Sequence, residues 1–350
     1  MSIWAHERYA YPVFVDLVQG EAPSQSPQSE VVKQTSTQIT PTMSDGTKVV
    51  DSDRVYTTLI TSLSYLPGLL TLHHSLVHRS KSKYPLIALY TSSFPQSGLA
   101  ILRRRNIPCQ LITPLFPSSS SSSNTPSYSH DPRFRECFTK LIPFSLVQYK
   151  KIIQLDSDML VLRNIDSLFD IELDSHKRVF AASHACLCNP CQFEHYPDYF
   201  RPENCYYTDP TSMGKDYLNG GLQVVRPDLG VYEEIVGYMN TPGIDLSFAD
   251  QSVLAGCFRD RWVGLGWEFN ALKTMRWRGV HDDVWGDGEV RNVHYILTPK
   301  PWEEERDEKG RVVMGEGKRG AEDKVTSQWW VDVDDERRER EEERGIRDGW

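Results

Sequence analysis

The sequence predicts an α/β protein with a mostly parallel, Rossmann-like sheet flanked by helices. Three observations support this fold. The run Lys151 to Leu155 is rich in β-branched and other apolar residues, as in strands buried on both faces. Asp156 and Asp158 follow it directly, at the carboxyl end of the strand, where open α/β sheets bind ligands. Residues 54–90 have the pattern strand, helix, strand, which indicates a right-handed βαβ unit.

Length and charge narrow the classes of protein to consider. The 350 residues are enough for one large domain or two small ones, and a net charge of −9 argues against non-specific binding to nucleic acid or anionic membranes. No stretch approaches the roughly 20 apolar residues of a membrane span, and no basic segment followed by an apolar one opens the sequence. We therefore expect a soluble, cytoplasmic protein with no nucleic-acid partner and no membrane span.

The first half of the chain divides into a tail and the opening elements of the domain. Residues 1–50 carry scattered Pro, Ser, Gln and Thr, a composition that predicts a disordered tail. The β-branched run Val55 to Thr61 predicts the first strand. Leucines at helical spacing follow from Leu69, and Pro85 to Tyr90 predicts the second strand.

Further elements follow in order up to the cysteine-rich region. Leu99 to Ile112 predicts a basic helix and a short strand, and the Ser- and Pro-rich residues 117–130 predict a low-complexity loop. Phe138 to Leu141 opens a helix that leads into the Lys151 strand. After the acid pair, Asn164 to Phe169 is typical of a capped helical turn, and Val179 to Ser183 predicts another strand.

The acid pair indicates a metal site. Residues one apart in an extended chain point to the same side, so Asp156 and Asp158 can approach one cation together. Like charges held this close raise each other's proton affinity, and burial adds to that cost, which a metal would offset. A polar turn explains the same tripeptide locally, because Asp and Ser are common turn residues.

The cysteines leave two interpretations open. Seven cysteines is an odd number, which argues against a secreted disulfide framework. Four of them lie close together in sequence: Cys186, Cys188, Cys191 and Cys205. These four thiols could bind zinc, with His184 and His195 alongside. Because their spacing differs from that of common zinc ribbons, free and partly buried thiols are the favoured interpretation.

Two later motifs carry polar groups at the ends of predicted elements. Asn219, Gly220 and Gly221 open a predicted strand, and the glycines permit a close backbone approach to a ligand or form a plain tight turn. Asp250 and Gln251 open a predicted helix, where an acid is favourable for stability alone.

The end of the chain combines a final motif with a charged extension. His294 ends a predicted strand and Lys300 follows it; a lone histidine at such a point is more often structural than a ligand. Residues 303–350 are dense in Glu, Arg, Lys and Asp and predict a charged, partly helical extension, by default solvated. Trp329 to Val331 interrupt the charges and are expected to dock a terminal helix.

These segments together resemble glycosyltransferase family 8, whose members include glycogenin and galactinol synthase. The resemblance rests on Asp156-Ser157-Asp158 with the following Leu162–Asp166, on the 219–221 and 250–251 motifs, and on the segment from His294 to Trp302. It implies a single GT-A type domain for nucleotide-diphospho-sugar transfer over residues 51–302. Leu297 stands where the family usually has glycine.

The resemblance also assigns roles to individual residues. Metal ligands are implied at Asp156, Asp158 and His294, with Mn2+ expected and Mg2+ as the alternative. Catalytic roles are implied for Lys140, Asp250 and Gln251. Substrate contacts are implied for Leu59, Thr61, Tyr65, Lys140, Asp156, Ser157, Asn219, Gly220, Gly221, Asp250, Gln251 and Lys300.

The implied activity is metal-dependent, retaining transfer of a hexose from UDP-glucose or UDP-galactose. The acceptor would be a hydroxyl group of a polyol, a saccharide or a protein. Two alternatives stay open: a glycogenin-like protein that glucosylates itself, and a catalytically silent UDP-binding scaffold. A homodimer is compatible with the resemblance.

Overall fold

A computed structural model describes residues 47–118, 134–313 and 324–350 of the chain. Most of the predicted tail at residues 1–50 and of the predicted loop at 117–130 lies outside these residues, as do residues 314–323 of the charged extension. Within the described ranges, none of the helices has both the length and the apolar character needed to cross a bilayer.

Within the described ranges the strands form two sheets, and the α/β prediction is confirmed. The strands are β1 Arg54–Ile60, β2 Leu86–Tyr90, β3 Cys109–Leu111, β4 Lys151–Leu155, β5 Met159–Val161, β6 Phe180–His184, β7 Leu218–Val225, β8 Val263–Leu265, β9 Ala271–Leu272 and β10 Asn292–His294. The large sheet has seven strands in the order β3-β2-β1-β4-β7-β6-β8, and the small sheet has the order β5-β10-β9.

The large sheet is mostly parallel, with one reversed strand. β1 runs parallel to β2 and β4, β2 to β3, and β6 to β8, whereas β7 is antiparallel to both β4 and β6. This reversal brings the start of β7 beside the carboxyl end of β4, because the amino end of a strand lies next to the carboxyl end of its antiparallel neighbour. The predicted acid pair and the 219–221 motif are therefore adjacent.

The α-helices of the described residues are α1 Leu66–His74, α2 Gln96–Arg104, α3 Phe134–Cys137, α4 Leu229–Met239, α5 Asp250–Cys257 and α6 Val325–Glu343. The predicted helices α1, α2, α5 and α6 are confirmed, whereas α4 was not predicted. The first βαβ unit is completed by α1, which carries a proline in its first turn and continues into a single π-helical turn, Ser75–Arg79. The predicted helix at Phe138 is a 3₁₀ helix, Phe138–Ser145, and the predicted turn at Asn164 is a 3₁₀ turn, Asp166–Asp170.

The centre of the sheet is buried on both faces, as the apolar-rich sequence of β4 predicts. Ile152 packs in the cluster on one face of the sheet and Ile153 in the cluster on the other. Between β1 and β4 the buried Thr57 hydroxyl donates to the Gln154 side-chain oxygen at 2.6 Å, so these polar groups are satisfied inside the sheet.

The terminal helix α6 packs on α1 and is not the solvated helix that its charges suggest. Trp330 and Val331 are fully buried against the small sheet. The Arg337 guanidinium is also buried and donates to Asp334 at 2.7 Å and to Glu341 at 2.8 Å. Partners on the helix itself satisfy these charges, which is the condition for burying them.

Candidate functional site

The acid pair leaves the carboxyl end of β4 and is tied to two other strands. The Asp156 amide donates to the Gly221 carbonyl of β7 at 2.8 Å, and the Tyr295 amide, just past β10, donates to the Asp158 carbonyl at 2.9 Å. The Asp158 side chain is buried and that of Asp156 is about one-sixth exposed. Both carboxylates thus occupy fixed positions at the meeting point of the two sheets.

His294 completes a three-residue cluster with this pair. Its Nε2 lies 3.4 Å from Asp158 Oδ1 and 3.6 Å from Asp156 Oδ2. One ligand atom from each of the three residues lies within 4.8 Å of the other two. Two carboxylate oxygens and one imidazole nitrogen form a donor set that suits Mn2+ or Mg2+, so the residues present fit the predicted metal.

Two lysines compensate the carboxylates. Lys140 Nζ lies 2.8 Å from Asp156 Oδ2, and Lys300 Nζ lies 2.5 Å from Asp158 Oδ2. Burial alone would raise the pKa of Asp158, but Lys300 and His294 hold it well below its ordinary value. Burial likewise opposes the charge of Lys140, yet Asp156 and Asp250 hold its pKa above the ordinary value. The site therefore combines two carboxylates with two cationic side chains.

A chain of hydrogen bonds orients the His294 ring. The Gly221 amide, which can only donate, donates to Asn219 Oδ1 at 3.0 Å, and Asn270 Nδ2 donates to the same oxygen at 2.9 Å. Asn270 Oδ1 must then face His294 Nδ1, 3.0 Å away, and accept its proton. Nε2 is consequently the ring nitrogen that faces the two carboxylates, where a metal would bind it.

Asn270 was missed by the sequence reasoning. It lies in the 3₁₀ turn Trp267–Asn270, and nothing in the local sequence marks its side chain as part of a site. Its role depends on a contact with a histidine 24 residues further along the chain. We describe it as a positioning residue because it acts through His294.

The two glycines of the 219–221 motif leave room for side chains of the site itself. A Cβ on Gly220 would lie 2.2 Å from Asp250 Oδ2, and one on Gly221 would lie 2.3 Å from His294 Cε1. In this structure the side chains of Asp250 and His294 closely approach the backbone of these glycines. Contact of these glycines with a donor sugar stays a prediction.

Asp250 begins α5 in a strained and buried position. The preceding Ala249 has φ +48° and ψ −120°, a conformation that L side chains rarely adopt and that costs of order 1–3 kcal/mol. The Asp250 carboxyl accepts from Gln223 Nε2 at 3.3 Å. Burial raises its pKa to about 7, with Lys140 opposing and Asp156 adding to the shift. An acid titrating near neutrality therefore lies next to Lys140.

Gln251 and Tyr65 each contact a residue of the site. Gln251 Oε1 accepts from the Gly220 amide at 2.8 Å, which ties the start of α5 to β7. Lys300 Nζ lies 5.7 Å from the centroid of the Tyr65 ring, which also makes an edge contact with Trp302 at 5.8 Å. Tyr65 thus borders the cationic part of the site.

The remaining predicted contacts lie at the margin of the cluster. Leu59 and Thr61 are half-buried at the carboxyl end of β1, and Leu59 packs against the main core. Ser157 is buried, and its carbonyl faces Gly68 of α1, where a Cβ would lie 2.4 Å away. Leu297, which replaces the usual glycine, has φ +64°, in the left-handed region that favours glycine. Substrate contacts of Leu59, Thr61 and Ser157 stay predictions.

Comparison with known proteins places this geometry in a family. The family model "Glycosyl transferase family 8" matches residues 56–306. Galactinol synthase 1 of Arabidopsis thaliana is 28% identical over 304 residues, covering 82% of this chain and 81% of its own. Galactinol synthase 2 of Solanum lycopersicum is 27% identical over 299 residues, covering 81% of each chain.

Solved structures show the same fold at low identity. The galactosyltransferase LgtC, in complex with donor and acceptor sugar analogs, aligns with a TM-score of 0.52 at 16% identity, over 80% of this chain and 95% of that one. The glycosyltransferase GlyE of Streptococcus pneumoniae aligns with a TM-score of 0.51 at 16% identity, over 83% of this chain and 64% of that one. At this identity the likeness supports the GT-A fold alone.

Proposed function

The chain belongs to glycosyltransferase family 8, and on that premise we propose that it transfers a hexose from UDP-glucose or UDP-galactose with retention of configuration, dependent on a divalent metal. That it is a glycosyltransferase follows from the family. The donor nucleotide, the metal and the stereochemistry are proposals. One observation carries them: the convergence of Asp156, Asp158 and His294 at the carboxyl end of β4.

The metal would be held by the two carboxylates and His294 Nε2. When bound, a divalent ion neutralises negative charge on a departing diphosphate. Mn2+ is expected because an imidazole joins the oxygen ligands, and Mg2+ is the alternative. Lys140 and Lys300 are salt-bridged to the same carboxylates, so a cation between these acids would release both ammonium groups for the diphosphate.

The sugar would lie between β7 and α5. Asn219 uses its side-chain oxygen internally, which leaves its amide hydrogens for a donor hydroxyl. Asp250, with a pKa raised by burial to about 7, can accept or donate a proton at a sugar hydroxyl near neutral pH. Gln251 would border the reacting face.

For the acceptor we propose a hydroxyl of a separate polyol or saccharide. The curated relatives described above are named galactinol synthases, which favours a separate acceptor over self-glucosylation of the glycogenin type. A cytoplasmic location and a homodimer stay predictions from the sequence.

Calorimetric titration with UDP, with and without Mn2+, tests the donor site without knowledge of the acceptor. We expect binding that depends on Mn2+ and is lost in Asp158→Asn. Asp170→Asn is the matched control, because Asp170 is an exposed acid paired with Arg54 on the surface, and it should bind UDP normally. Absence of UDP binding by the wild type with Mn2+ would refute the donor assignment.

Transfer is then tested with both donors against a panel of polyols and saccharides. Anomeric configuration of the product, read by NMR, checks retention. Intact mass after incubation with each UDP-sugar separates the acceptors: an unchanged protein mass with a glycosylated small molecule supports the proposal, and hexose increments on the protein contradict it. UDP binding without any transfer would indicate the silent scaffold instead.

A further inference from the structure

A second cluster of metal-ligating side chains is built from residues outside the candidate active site. Cys186 and Cys188 follow β6, Cys205 follows the 3₁₀ turn Pro202–Asn204, and His281 comes 76 residues later. One ligand atom from each lies within 4.8 Å of the other three. We propose that these four residues form a structural zinc site.

The distances match those of a tetrahedral zinc site. His281 Nε2 lies 3.3 Å from Cys186 Sγ, 3.3 Å from Cys188 Sγ and 3.5 Å from Cys205 Sγ. Zinc bonds of about 2.3 Å to sulfur and about 2.0–2.1 Å to nitrogen, set at tetrahedral angles, separate sulfur and nitrogen ligands by about 3.5 Å. The three observed separations therefore agree with one ion at the centre of the group.

Hydrogen bonding alone does not explain the arrangement. An imidazole nitrogen offers one in-plane hydrogen or one lone pair, so His281 Nε2 can pair well with a single thiol, not with three. Cys205 and His281 are nevertheless 0% and 5% exposed, and the Leu187 amide donates to Cys205 Sγ at 3.4 Å, as expected for a sulfur that carries negative charge. A cation shared by all four groups accounts for the convergence.

The ligand chemistry selects zinc. Three sulfurs and one imidazole nitrogen form a closed, soft donor set, which is typical of structural zinc. The oxygen-rich set of Asp156, Asp158 and His294 instead suits harder cations such as Mg2+ or Mn2+. The two clusters should therefore hold different metals.

The ligand set corrects the quartet considered from the sequence. Among the described residues, the converging group contains His281 in place of Cys191. His184, expected alongside, instead stacks on Tyr206 with ring centroids 3.5 Å apart. Free, partly buried thiols were the favoured interpretation because the cysteine spacing differs from that of common zinc ribbons. That spacing gives no sign of the distant histidine.

Zinc here would fasten a long connection beside the candidate active site. Within residues 185–217, between β6 and β7, regular structure is confined to the 3₁₀ turns Pro202–Asn204 and Met213–Asp216. The ring of Phe200 in this connection stacks on Phe248, two residues before Asp250, with centroids 5.1 Å apart. A metal cross-link to His281 would add folding free energy to a connection that has little regular structure.

Zinc content measured by mass spectrometry tests the proposal. After gel filtration in metal-free buffer, the full-length wild type should retain about one zinc per chain. Replacement of that zinc by Co2+ should give the thiolate-to-cobalt charge-transfer and intense d–d absorption of a tetrahedral site. Less than about 0.2 zinc per chain, with no such absorption from cobalt added to the metal-free protein, would overturn the proposal.

Variants locate the ion. Cys205→Ser and His281→Ala should lose zinc, whereas the matched control Cys191→Ser and the active-site variant Asp158→Asn should keep it. If loss of zinc prevents folding, His281→Cys decides, because a fourth thiolate should restore both zinc and the folded protein. Equal zinc loss in Cys191→Ser, or no rescue by His281→Cys, would contradict the ligand set. Zinc retained in Asp158→Asn while UDP binding is lost would separate this site from the proposed donor site.

Discussion

Gly221→Ala tests whether the arrangement of the metal cluster requires a residue without a side chain at position 221 of β7. The added Cβ would lie 2.3 Å from His294 Cε1, so the ring must retreat by more than about 1 Å to reach a normal carbon contact of about 3.5 Å. The ring is buried and held by Asn270 at 3.0 Å, which prevents a free shift. Such overpacking costs about 1–3 kcal/mol of stability. A misoriented ligand typically weakens metal binding by about 10–100-fold.

Calorimetric titration with UDP in the presence of Mn2+ measures the effect, and thermal denaturation checks the fold. We expect affinity to fall about 10–100-fold in Gly221→Ala. Gly237→Ala is the control, because a Cβ there meets nothing within 4 Å on helix α4. It should leave affinity unchanged and stabilise the protein by about 0.5–1 kcal/mol. Wild-type affinity in Gly221→Ala would refute the packing argument.

Three further predictions follow from other contacts. Asn270→Ala frees the His294 ring and should weaken Mn2+-dependent UDP binding about 10–100-fold; unchanged calorimetric affinity would exclude a positioning role. Arg337→Met removes a buried cation shared by Asp334 and Glu341, which keep Arg338 and Arg105 as cationic partners, and should cost about 1.5–3 kcal/mol in urea denaturation. The exposed Arg311→Met should cost less than about 1 kcal/mol, and similar losses would contradict this assignment. Burial, with His78 and His74, lowers the pKa of His73 to about 3. His73 therefore stays neutral in the folded state, whereas in the unfolded state it takes up a proton below about pH 6.5. The free energy of unfolding should then fall by up to about 1.4 kcal/mol per pH unit as the pH decreases, and less steeply in His73→Gln. Equal slopes for wild type and variant in urea denaturation would contradict this pKa shift.

Much of the fold could be predicted because it depends on local patterns. The strand at Lys151–Leu155 is rich in apolar residues, and the first βαβ unit shows its leucine spacing and β-branched runs. The direction of β7 could not be predicted in this way. A strand has the same side-chain period whether its neighbours run parallel or antiparallel, so only pairing across the sheet decides it.

The candidate site likewise contains features that could be predicted from the sequence and features that could not. The acid pair, His294 and the two lysines were predicted from motifs, and the structure brings them together at one edge of the sheet. The space that Gly221 leaves for His294 and the contact of Asn270 with that ring were not visible. Both are contacts between segments that lie far apart in the chain.

The sequence by itself determined the buried central strand, the acid pair at its end and the family to which the chain is similar, because each is written in consecutive residues. Only the tertiary structure decided that one face of the charged helix α6 is buried and that His281 joins three cysteines. A charge pattern predicts only how an isolated segment would behave in water. Packing between distant segments of the folded chain decides whether Arg337 is solvated or paired in the interior. It also decides whether a histidine lies close to a distant thiol.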